Sequence, residues 1–217
     1  MNKDELLKIV LEARKASKKR NFPQSFDLII NIKDLDIKKT ENQVEFFVTL
    51  NQPIGKKKSV CALIGPEMQA DAEASCDKFI LQENFAAFQK DKRQAKKLAR
   101  AYDFFIAQAN IMPQVAAAFG RALGPKGKMP NPKAGCIVAP KTPLAPLVER
   151  LQRTVKISAK ASVIIQCMVG NESMKDEQVA DNVLTIHEQL VRHLPGEEKN
   201  LKSMILKLTM GKPVRVM

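Results

Sequence analysis

The chain has no tryptophan and a single tyrosine, Tyr102, and aromatic residues are only 5% of its 217 residues. Proteins that grip single-stranded nucleic acid by stacking need a platform of rings, so that mode of binding is excluded. Histidine is as scarce, with two residues. His187-Glu188 opens the pattern of a zinc-protease helix, but Val191 stands where the second histidine belongs and His193 lies on another face. No metal or other cofactor is therefore expected. The four cysteines, Cys61, Cys76, Cys136 and Cys167, form no Cys-x-x-Cys pair, and three of them lie in apolar runs. They read as reduced, mostly buried thiols of a cytosolic protein. No stretch approaches the roughly 18 uncharged apolar residues of a membrane span. Met1-Asn2-Lys3-Asp4-Glu5 leads into a charged helical pattern and not a secretion signal. The expectation is a cytoplasmic protein with no membrane partner.

Acidic residues are also in deficit. Against 36 lysines and arginines stand 23 aspartates and glutamates, giving a formal charge of +13 and a pI near 9.7. A polyanion is the first partner to consider, because each neutralised phosphate releases condensed counterions. The excess is not confined to a tail: residues 1–59, 60–154 and 155–217 are each net positive. With the stacking mode excluded, structured RNA read through its shape and backbone fits this composition best.

The patterning changes twice along the chain. Residues 3–20 carry Leu6, Val10 and Ala13 on one face and predict an amphipathic helix ending in Lys18-Lys19-Arg20 before Pro23. Ser25–Ile32 and Val44–Leu50 read as two strands paired with each other. From Val60 short apolar runs alternate with helical patterns: strands at Val60–Ile64, Lys78–Leu81 and Tyr102–Ala107, and helices around Glu67–Ser75, up to Arg100 and over Met112–Leu123. Such alternation implies parallel strands with crossovers. After Thr154 come a strand at Val163–Val169, a helix opened by a Ser173-x-x-Asp176 capping box, and a closing strand at Leu201–Leu208.

Neither end of the chain buries a good core alone, but together they supply four strands and two helices, about the size of a stable domain. The fold expected is α/β plus α+β in two domains. Residues 1–59 and 155–217 form a discontinuous, split α+β (βαβ-like) domain, into which residues 60–154 insert as a small three-layer, Rossmann-like α/β domain. Two side-by-side connections, with Pro53, Gly55, Arg153 and Thr154, make a double hinge.

Gly124-Pro125-Lys126-Gly127-Lys128-Met129-Pro130-Asn131-Pro132-Lys133-Ala134-Gly135 is the most informative segment. Its prolines and glycines exclude α-helix and central strand and present lysines on a pre-organised loop. A nucleotide-binding loop is excluded, since Ala122 and Met129 replace its first glycine and its hydroxyl residue. The loop resembles the signature of the universal large-subunit ribosomal protein "L-one" family, whose members build the mobile stalk beside the tRNA exit site. Arg20-Asn21-Phe22-Pro23-Gln24-Ser25-Phe26, Asp103–Ala109, Pro146–Leu151, Val169-Gly170-Asn171-Glu172 and Leu208-Thr209-Met210-Gly211 are similar to further family blocks. The likeness runs from end to end and is nearest to the archaeal and eukaryotic type.

The resemblance implies a non-catalytic protein whose partners are large-subunit rRNA, deacylated tRNA at the exit site and its own messenger, repressed by binding, with no stable homo-oligomer. It places Phe22, Ser25, Asp27 and Thr40 on the first-strand side of the rRNA surface and Thr209, Met210 and Gly211 at its centre. Arg20, Asn21, Lys39, Lys156, Ser158, Lys160 and Lys207 complete that surface, and Lys126, Lys128 and Lys133 form a secondary contact. A threonine hydroxyl suits 2′-hydroxyls and phosphates, methionine lies against a ribose or base, and glycine admits a close backbone. The chain departs from the family in three places. Leu50-Asn51-Gln52-Pro53-Ile54-Gly55 replaces Leu-Pro-His-Gly at the first hinge, Asp27 stands where glutamate is common, and Lys212 precedes Pro213. The alternative reading is a small α/β enzyme cradling a phosphorylated substrate with Lys126, Lys128 and Lys133. It lacks a histidine or paired carboxylates near that loop.

Overall fold

A computed structural model describes residues 2–35, 43–160 and 162–217. Lys3–Lys15 is helix α1, with Asp4 and Glu5 in its first turn, Arg14 and Lys15 in its last, and Leu6, Val10 and Ala13 buried. It stops five residues short of the predicted end. The Gln24 amide donates to Ser17 Oγ and the Lys18 carbonyl, which turns the chain away before three further cations would stack on one another. Alternation through Ser25–Ile32 makes strand β1, burying Phe26, Leu28, Ile30 and Ile32 and leaving Ser25, Asp27, Ile29 and Asn31 on the other face.

Val44–Thr49 is β2, and it does not pair with β1 as predicted. Both edges of β1 are taken, by β8 (Ile164–Asn171) and β9 (Leu201–Leu208). β2 instead pairs antiparallel with β7, Thr154–Ala159, a strand the sequence reading passed over. With the short β10 (Val214–Arg215), one sheet runs β10-β9-β1-β8 and the other is β2-β7. Among the described residues these ends of the chain therefore build six strands where four were expected. Helix α7, Asp176–His193, buries Val179, Ala180, Val183, Ile186 and Leu190, and with α1 it packs on one side of the larger sheet. Its start lies three residues beyond the predicted Ser173 cap. The Met174 N–H donates to the Asn171 carbonyl and the Glu172 and Met174 carbonyls accept from Arg14, so this stretch is fixed as a turn. Gln178 takes the capping role, its side chain accepting from the Lys175 N–H.

The other elements form a parallel sheet. β3 (Val60–Ile64), β4 (Lys78–Leu81), β5 (Phe104–Gln108) and the two-residue β6 (Ile137–Val138) run in the order β4-β3-β5-β6. β6 is a fourth strand where three were predicted. All five residues of β3 are buried, as expected of a parallel strand covered on both faces. α3 (Phe85–Lys90), α4 (Lys92–Ala101) and α5 (Met112–Leu123) pack around Phe85, Leu98 and Phe119. α2 (Gln69–Ser75) packs with α6 (Ala145–Gln152).

Two compact units result, Met1–Lys56 with Arg153–Met217, and Lys57–Gln152. The crossings fall a few residues from the predicted boundaries for local reasons. Lys57 pairs with Asp77 and Ser59 bonds Asp103, which ties them to the parallel unit. The Arg153 carbonyl accepts from the Leu50 N–H, and buried Thr154 already lies in β7 opposite Thr49. Pro53 and Gly55 are exposed, but the segment around them is anchored: buried Asn182 bonds both the N–H and the carbonyl of Gln52, and Asn171 donates to the Gly55 carbonyl.

Arg14 joins the two ends of the chain. Its guanidinium donates to Asp176 and to the carbonyls of Glu172 and Met174 at 2.5–2.6 Å and lies over the Phe26 ring, 5.2 Å from its centroid. Arg14→Ala should destabilise this unit by about 2–4 kcal/mol. Arg14→Lys should recover only part of that, since one ammonium lacks the planar fork. Urea unfolding followed by far-ultraviolet circular dichroism checks both variants, and equal midpoints for Arg14→Lys and wild type would show that charge alone suffices.

Candidate nucleic-acid interface

Gln24 is fully buried, yet it sits beside the most exposed apolar residues of its unit. A buried amide is tolerated only when its polar groups are satisfied, and all four are. The backbone N–H donates to Glu172 Oε2 and the carbonyl accepts from the Glu172 N–H. The side-chain Nε2 donates to Ser17 Oγ, and Oε1 accepts from the Met210 N–H at 3.1 Å. One residue thus ties three segments: its side chain holds the end of α1 and the turn after β9, and its backbone holds the turn before α7. Neither Gln24 nor Glu172 is among the residues expected in the site: Gln24 directly precedes β1 and Glu172 directly follows β8, and a polar residue at a strand end is too common a signal to single them out.

On this support the predicted residues divide. Phe22 is 49% exposed and Met210 58% exposed, so neither ring nor thioether belongs to the core. Arg20 and Asn21 are exposed in the loop that leads to Phe22. The Thr209 hydroxyl is engaged within the protein: it accepts from the Ser25 N–H and donates to the Ser25 carbonyl, each at 3.2 Å. It therefore clamps the end of β1 to the end of β9 while its residue stays exposed. Gly211 is not at positive φ. It sits in a close approach: a Cβ there would lie 3.2 Å from both Leu208 Cβ and Ser17 Cβ, tighter than an ordinary contact.

Asp27 and Lys207 face each other across β1 and β9 on the side of the sheet opposite to Phe26 and Leu28. Burial raises the Asp27 carboxyl above its ordinary value, and Lys207 offsets this in part. Lys156, Ser158 and Lys160 do not join this group. They lie on or just after β7 in the smaller sheet, where Glu45 pairs with Lys156 at 2.9 Å and Lys160 at 2.5 Å. Those hydrogen bonds, Lys160 first, hold the Glu45 carboxyl below its ordinary value. Lys39 and Thr40 lie outside the described residues.

The lysine loop belongs to the other unit. It turns at Gly127 and Gly135, both at positive φ where a side chain is strained. Lys126 and Lys133 are exposed. Lys128 is turned inward, its ammonium donating to the Tyr102 carbonyl at the end of α4 at 2.7 Å, which makes it a brace of the loop. The cysteines are free, and burial pushes the Cys61 thiol up to about 12 and the Cys136 thiol up to about 11. Among the described residues no three His, Cys, Asp or Glu side chains are grouped to hold a metal, and no helix is long and apolar enough to cross a membrane.

A family model described as the ribosomal protein L1p/L10e family matches residues 13–212. The large ribosomal subunit protein uL1 of Methanothermococcus thermolithotrophicus is 40% identical over 216 residues, covering 100% of this chain and 99% of that protein. Its counterpart from Methanobrevibacter smithii is 43% identical over 213 residues, 98% of each chain. That of Methanocaldococcus jannaschii is 38% identical over 216 residues, 100% of this chain and 96% of the other.

A carboxylate whose folded pKa is raised destabilises the fold increasingly as pH climbs from its ordinary 3.8 through the folded value. Asp27→Asn removes that titration. Thermal unfolding should show the variant more stable than wild type at neutral pH, with the difference vanishing below pH 3.8, where Asp27 is protonated in both states. A variant less stable at neutral pH would mean that the Lys207 attraction outweighs burial.

Proposed function

The chain belongs to the ribosomal protein L1p/L10e family, and from that membership we propose that it is a structural, non-catalytic constituent of the large ribosomal subunit, in the cytoplasm, that binds large-subunit rRNA through the surface around Gln24. The observation that carries this reading is the presentation of exposed Phe22 and Met210 from one fully buried, fully bonded glutamine. A rigid support lets these apolar side chains meet a ribose or base without an ordering penalty at the moment of binding. Around them, Arg20 and Lys207 supply charge, and Asp27 accepts from a 2′-hydroxyl.

Lys126 and Lys133 add a second, electrostatic contact from the other unit. Through its place on the subunit the protein assists release of deacylated tRNA from the exit site, and by binding the same RNA shape on its own messenger it represses translation. An enzymatic role for the lysine loop has no support: both histidines lie outside that unit, and Lys128 is committed to Tyr102.

Filter binding to an rRNA fragment at several salt concentrations tests the reading. Met210→Ala should weaken binding by about 1–2 kcal/mol, the burial lost with its side chain, and leave the salt slope unchanged. Replacing Lys126 and Lys133 together with alanine should lower the slope by about 0.7–0.9 per lost contact and spare specificity. Wild-type affinity in a folded Met210→Ala protein would remove Met210 from the interface.

A further inference from the structure

In the parallel unit, α3, α4 and α5 enclose a groove of about 360 Å³ that the rRNA surface does not use. Its floor is apolar and shallow, made by Ala95, Ala117, Ala118 and the half-buried ring of Phe88. Phe88 is held by Phe119 beneath it, with ring centroids 5.2 Å apart. The rim is cationic. Lys92 and Lys96 stand one turn apart on α4, and Arg121 faces them from α5. All three are exposed and have no ion-pair partner among the described residues. α4 contains no acidic residue, although like charges at i and i+4 disfavour a helix. Its N-terminus is held by Asp91, which accepts from the Arg93 and Gln94 N–H groups.

We propose that this groove docks an acidic amphipathic helix of a partner protein. Alanines on the floor allow a helix axis to approach to the short end of the usual 8–10 Å spacing. An apolar stripe at i, i+3, i+4 and i+7 covers the floor and Phe88, as in other helix-in-groove contacts. Acidic residues flanking the stripe meet Lys92 and Lys96 on one side and Arg121 on the other. A phosphate backbone matches the rim but leaves the apolar floor against a hydrated polyanion, so the combination of floor and rim selects a peptide over RNA.

The test uses the full chain and a fluorescein-labelled synthetic peptide about four turns long, with leucine at the stripe positions and glutamate elsewhere. Its binding is followed by anisotropy at an ionic strength of about 0.15 M. Ala117 is exposed, so Ala117→Leu fills the floor with no change of charge and little effect on folding; it should weaken binding about tenfold. Lys92→Gln with Lys96→Gln should weaken it about fivefold. A scrambled peptide of the same composition should bind far more weakly than the amphipathic one. Equal affinity of the two peptides, or an Ala117→Leu protein that binds like wild type, overturns the proposal. So does an Ala117→Leu protein that loses affinity for an rRNA hairpin but not for the peptide, which assigns the groove to nucleic acid.

Discussion

The unit made by the two ends of the chain closes where the Arg14 guanidinium meets Asp176 and the carbonyls of Glu172 and Met174, partners 158 to 162 residues away in sequence. Burying half-exposed strands and helices supplies most of the folding free energy, but it is non-directional and does not decide how α1 sits against the turn before α7. A planar fork with three acceptors does decide it. Gln24 extends the same constraint by one layer, because its bonds to Glu172 and Met210 bring the turn after β9 against the segment that Arg14 has fixed. The exposed residues Phe22 and Met210 are thus positioned by buried polar contacts, whereas the apolar core only holds up the sheet behind them.

This division explains why a discontinuous unit suits the proposed RNA-binding surface. The residues that present it come from Phe22–Asp27 and Lys207–Gly211, and β1 is hydrogen-bonded on both edges by strands from the C-terminal segment. The surface therefore exists only when both ends have folded together. Asp27 is a half-buried carboxylate on this surface, raised by burial and only partly offset by Lys207. Local departures from the stability optimum of this kind are expected at functional surfaces.

Much of the architecture was legible because period and punctuation agree. β1, β4 and α5 have the predicted bounds, since alternation or helical spacing there is bounded by proline, glycine or charge. Strand pairing was not legible. β1 and β2 look like neighbours in sequence, and only tertiary competition, with β8 and β9 occupying both edges of β1, sends β2 to β7. The loop and terminal motifs of the candidate site were visible in the sequence, but the direction of each side chain was not. Lys128 and the Thr209 hydroxyl bond within the protein, and Lys156 and Lys160 pair with Glu45. Lysines and threonines carry no sequence mark that separates a brace from a contact.

The most direct test of whether recognition rests on the polar support and not on the overall +13 charge is the rRNA affinity of Gln24→Leu as a function of salt. The substitution changes no charge and removes only the side-chain bonds to Ser17, the Lys18 carbonyl and Met210. The expected result is a folded protein whose affinity falls by about tenfold or more with the salt slope of wild type, as when a buried partner of one hydrogen bond is left unpaired. Unchanged affinity in the folded variant would contradict it, and would place recognition in the charge distribution alone.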